Sequence, residues 1–80
     1  MGDDLDWIVS TARQHDSSLE HDIAATLAAE ALDLLRSGAS PDAPELARAL
    51  FAAHPEYGAS TANVVAKAAV DYVTSGRPDD

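Results

Sequence analysis

Residues 18–38 read SLEHDIAATLAAEALDLLRSG, and this stretch decides the fold. Leu19, Ile23, Leu27 and Leu34 recur at helical spacing and form one stripe. Leu32 and Leu35 widen the apolar arc beyond what a helix resting on a single neighbour needs. The intervening alanines carry no side-chain entropy cost and favour helix over strand. Ser17 followed three residues later by Glu20 has the pattern of a capping box, and Gly38 stands where a left-handed residue ends a helix. The spacing therefore predicts a central helix over about 18–37 with partners on more than one side.

Working outward, the same periodicity gives three more helices. The first covers about 4–14, with Leu5, Ile8, Val9 and Ala12 on its buried stripe and Asp3, Asp4 and Asp6 near its N-terminus, where carboxylates complement free N–H groups and the helix dipole. The third covers about 42–54. Pro41 and Pro44 are tolerated only around its first turn, and Pro55 disfavours helical geometry at His54. The fourth covers about 61–75, from a cap at Ser60 or Thr61 to Gly76. No stretch alternates apolar and polar residues in the manner of a strand. The expected fold is all-α, a compact bundle of about four helices in a single small domain over 1–80, with Leu27, Leu34, Leu46, Leu50, Phe51, Val65 and Tyr72 in the core.

Composition limits what such a domain can do. With 80 residues there is one core and no room for a cofactor domain beside a substrate domain. Alanine supplies 17 of the hydrophobic residues and the larger types only 20, so the core is thin. At ~0.05–0.15 kcal/mol per residue the fold is worth about 4–12 kcal/mol. The absence of cysteine excludes disulfides and thiolate metal sites, and no apolar run approaches the ~20 residues of a membrane span. Gly2, Asp3 and Asp4 stand where a signal peptide carries positive charge, so a soluble, cytoplasmic protein is expected.

Candidate chemistry is sparse. His15, His21 and His54 are not spaced to share a helical face, and the Asp3, Asp4, Asp6 cluster lacks the glycine and bidentate glutamate of a calcium loop. No phosphate-binding glycine loop and no nucleophile motif is present, so neither an enzyme nor a cofactor or metal site is expected. Asp16-Ser17-Ser18-Leu19 resembles the Asp-Ser-Leu of acyl and peptidyl carrier proteins, whose serine carries phosphopantetheine at a helix start. It departs from that family in having Ser18 where Leu or Ile follows the serine, and only 16 residues before Ser17. The segments Pro44 to Leu50 and Ser60 to Lys67 resemble a helix-turn-helix, which would make Asn63 and Lys67 readers of DNA. The charge argues against nucleic acid as a partner. The chain carries a net −9, and residues 1–39 alone hold eight acids against Arg13 and Arg36.

What remains is a protein-protein interaction module, a regulator or adaptor that meets a basic surface on another protein through its acidic half. At 100° per residue, Trp7 lies about 160° from the arc of Leu5, Val9 and Ala12, and Val70 falls among Asn63, Lys67 and Asp71. The partner-binding residues expected on this reading are Trp7, Asp3, Asp4, Asp6 and Val70, with Trp7 as an aromatic anchor inside a rim of carboxylates. Membrane attachment is not expected, and a symmetric homodimer is compatible with the pattern.

Overall fold

In the computed structural model, which describes residues 3–38 and 42–74, four α-helices follow one another as α1 (Asp3–His15), α2 (His21–Arg36), α3 (Ala43–Ala53) and α4 (Ala59–Thr74). A 3-10 turn, Pro55–Tyr57, joins the last two, and no strand occurs among the described residues. The chain is a compact all-α four-helix bundle. Its radius of gyration, 11.0 Å, is close to the value of about 11.6 Å expected for a folded chain of this length.

The helices pack closely because their facing sides are small. Nine of the seventeen buried side chains among the described residues are alanine, among them Ala24, Ala28 and Ala31 on α2 and Ala62, Ala66, Ala68 and Ala69 on α4. Ile8, Leu27, Leu50 and Val65 are the largest side chains shut off completely from solvent, one from each helix. The most extensive contact is between α3 and α4, while α1 packs on both α2 and α4 and α2 touches α3 only lightly. The wide apolar arc of α2 is thus shared between neighbours on different sides. Leu34 and Leu35 reach the edge of the core rather than its centre.

The ends of the helices show which local signals the chain uses. Gly38 adopts φ +107° just beyond α2, with its N–H on the Leu35 carbonyl at 3.3 Å, so the glycine stop operates as expected. The start of α2 differs. It begins at His21, and no capping box forms between Ser17 and Glu20. Asp16 takes over instead: its Oδ1 accepts from the Ser18 N–H at 3.2 Å and from Ser18 Oγ at 2.7 Å. This side-chain turn competes with helix and holds residues 16–18 out of it. Arg13 Nε, donating to the Leu19 carbonyl at 3.2 Å, closes the turn from the α1 side.

The start of α4 also differs, because Gly58 rather than Ser60 or Thr61 opens it. Gly58 sits at φ +89°, ψ 155°, and its carbonyl accepts the first helical bond from the Ala62 N–H at 3.2 Å. The expected stop at Gly76 and the residues Ser40 and Pro41 lie outside the described residues.

Phe51 is not in the core: it is 40% exposed. Leu46, Ala47 and Leu50 define the buried side of α3, and Phe51 follows Leu50 by about 100° around the helix, onto a flank that is only partly covered. Tyr72 is partly buried, as an edge residue of the core.

Candidate functional site

Among the described residues, two of the open grooves lie between pairs of helices. The larger, about 350 Å³, runs between α1 and α2 and is lined by Asp4, Leu5, Ala29, Leu32, Asp33 and Arg36. Leu5 and Leu32 come from the inner edges of the two helices and give it an apolar floor. Asp4 and Arg36 close one end through an ion pair at 3.2 Å, with Asp4 partly sheltered and Arg36 largely in solvent. Asp33 is exposed, and its carboxylate has no partner among the described residues. The groove therefore offers apolar surface, one engaged carboxylate and one carboxylate without a partner among the described residues.

The smaller groove, about 260 Å³, lies between α3 and α4 and is lined by Pro44, Ala47, Arg48, Phe51, Ala59 and Asn63. Phe51 forms its exposed ridge. Arg48, one turn back, is 3.9 Å from Glu45, a loose surface pair.

Of the residues expected to bind a partner, Asp4 alone lines either of these grooves. Trp7 is partly buried at the seam between α1 and α4, its ring centroid 5.6 Å from that of Tyr72 at an interplanar angle of 55°. Such tilted aromatic pairs add about 0.5–1.5 kcal/mol beyond area burial. Trp7 therefore helps hold α1 on α4, and only its exposed part is open to a partner. Asp4 belongs to the α1–α2 groove, Asp6 is exposed, and Asp3 is the first residue of α1. Val70 is partly buried and packs against the core. Phe51, Leu5, Leu32 and Asp33 are the site residues that sequence reasoning missed. Leu5 and Phe51 fall on the apolar stripes predicted for the core, and a helical pattern does not say which flank of an apolar arc stays uncovered.

His54 lies in a second cluster. Its Nε2 is 4.0 Å from Glu30 on α2, its Nδ1 is 3.7 Å from Glu56, and its ring stacks on Tyr57 with centroids 5.4 Å apart. The imidazole thus points toward carboxylates on two elements. The two carboxylates lie against different ring nitrogens and so do not converge on one point as the ligands of a shared metal ion would. Among the described residues no group of three or more His, Cys, Asp or Glu side chains converges as a metal site, and no helix is long and apolar enough to cross a membrane. Ser17 is exposed in the turn before α2, four residues ahead of the first residue of that helix.

Comparison with protein-family models, with curated proteins and with solved structures gives no match, so the functional reading rests on the geometry of this chain.

Proposed function

We propose that this chain is a non-catalytic protein-interaction module, a regulator or adaptor, whose α1–α2 face binds a basic, partly apolar segment of another protein. The observation that carries this reading is the α1–α2 groove, in which an apolar floor of Leu5 and Leu32 is rimmed by Asp4 and by Asp33, whose carboxylate has no partner among the described residues. An arginine or lysine suits such a surface in two ways. Its aliphatic stem lies along leucine while its charged head meets a carboxylate. The surrounding half of the chain, with eight acids against Arg13 and Arg36, steers cationic partners toward the groove and repels anionic ones. The exposed part of Trp7 lies apart from this groove, at the seam of α1 and α4, and offers a separate aromatic contact.

A second reading has one observation in its favour. Asn63 and Lys67 are both exposed on α4, one helical turn apart, as a DNA-reading helix would present them. The net charge of −9 weighs against it, since duplex binding depends on cations neutralising phosphates.

Fluorescence anisotropy with a labelled amphipathic helical peptide of Arg and Leu tests the first reading. Saturable binding is expected, at least tenfold weaker in Asp33→Lys and absent for the peptide with Glu in place of Arg. Binding indifferent to Asp33→Lys would sink the assignment of the groove. Salt-sensitive binding to duplex DNA, weakened by Lys67→Ala, would establish the second reading in its place.

A further inference from the structure

We propose that the α1–α2 groove also takes the Arg48–Phe51 edge of a second copy of this chain, in a head-to-tail contact. This inference rests on the reading of that groove as a dock for a basic, apolar segment. The chain itself displays such a segment. Phe51 is the large hydrophobic residue left exposed among the described residues, and Arg48 lies three positions before it on the same face of α3. Arg48 is 78% exposed and only loosely held by Glu45 at 3.9 Å, so its guanidinium is available to an outside carboxylate. The ridge has an apolar skirt of Pro44, Ala47 and Ala59, which adds surface to bury around the ring.

The receiving surface matches it in size and charge. A cavity of roughly 150 Å³ is enough to take up a benzene ring, and the α1–α2 groove offers about 350 Å³ over Leu5, Ala29 and Leu32. With Phe51 on that floor, Arg48 reaches Asp33, the rim carboxylate with no partner among the described residues. The dock lies in the strongly acidic half of the chain, whereas residues 40–77, which carry the ridge, are close to neutral, with Asp42, Glu45, Glu56 and Asp71 against Arg48, Lys67 and Arg77. Ridge on dock is therefore the pairing with less repulsion than dock on dock. A twofold pairing of Phe51 on Phe51 is disfavoured by the same accounting of charge, because it gathers the Arg48 residues of both copies at one seam.

Dock and ridge are different patches, so the contact is heterologous and a pair of copies keeps one free dock and one free ridge. The charge of −9 on each copy opposes approach at low ionic strength, where it is poorly screened. Association is accordingly concentration-dependent and grows as salt rises from a few millimolar to the physiological range.

Sedimentation velocity on the full chain at physiological salt tests the proposal, with circular dichroism confirming that each variant is folded. The weight-average mass of the unmodified protein is expected to rise with concentration above the 8.3 kDa of one chain. Phe51→Glu, which loses the ridge, and Asp33→Lys, which loses the dock, are each expected to stay at one chain, and Arg48→Glu provides a second ridge variant. An equimolar mixture of Phe51→Glu and Asp33→Lys is expected to recover a species of two chains and no larger, because one intact dock then meets one intact ridge. An unmodified protein that stays at one chain overturns the inference, as does association lost in Phe51→Glu but kept in Asp33→Lys. If that single-chain protein still binds the Arg and Leu peptide, only the self-association fails; if it binds neither, the reading of the groove fails with it.

Discussion

Replacing Leu50 by alanine probes the part of the bundle on which everything else rests. Leu50 is fully buried on α3, the helix that makes its main contact with α4, and it is one of four large side chains completely withdrawn from solvent. Leucine-to-alanine changes in cores cost about 2–5 kcal/mol, less where neighbours collapse into the void and more where they cannot. The buried faces of α3 and α4 are mostly Ala47, Ala62, Ala66, Ala68 and Ala69, and alanine has no rotamer with which to fill space. The cost therefore belongs in the upper part of that range, about 3–5 kcal/mol. Against a total of about 4–12 kcal/mol, the loss is a large share of all the stability available. Urea unfolding followed by circular dichroism reads it directly. With a slope of about 1 kcal/mol per molar urea for a small domain, the midpoint falls by about 3 M or the folded baseline disappears. A midpoint displaced by less than about 0.5 M would refute the packing of α3 on α4 described above.

Three further outcomes follow from specific contacts. Phe51→Ser is expected to cost less than about 1 kcal/mol in the same assay, since the ring is 40% exposed, whereas a core phenylalanine would cost about 3–5 kcal/mol. Gly58→Ala is expected to cost about 1–3 kcal/mol, because φ +89° with ψ 155° is a glycine conformation. No atom within 4 Å opposes the new methyl group, so a cost near zero would mean that the connection before α4 has another backbone path. Tyr72→Ala is expected to red-shift the emission of Trp7, the single tryptophan, and to increase its quenching by iodide; an unchanged spectrum would contradict the 5.6 Å ring contact.

Much of the fold was legible because its signals are local. The Leu and Ala spacing of residues 19–35 and the positive-φ glycine at 38 specify α2 without reference to the rest of the chain. Leu27, Leu46, Leu50 and Val65 are buried as their helical phases imply. The errors arise where two local signals compete or where a neighbour decides. Asp16 and the Ser17 to Glu20 pair both compete for the start of α2, and the side-chain turn of Asp16 on Ser18 wins. Phe51 sits beside the main apolar arc of α3, and Trp7 sits opposite that of α1. A neighbouring ring shelters Trp7, and α4 leaves Phe51 40% exposed. The α1–α2 groove could not be read from the sequence at all, because it depends on how far apart two helices with leucines at their inner edges settle.

The measurement closest to the central claim is an amide NMR titration of the nitrogen-15-labelled protein with the amphipathic Arg and Leu peptide. The account predicts saturable shift changes centred on Asp4, Leu5, Ala29, Leu32, Asp33 and Arg36, the lining of the groove between α1 and α2. Changes centred instead on Asn63 and Lys67 of α4, or a spectrum that does not respond to excess peptide, would contradict it.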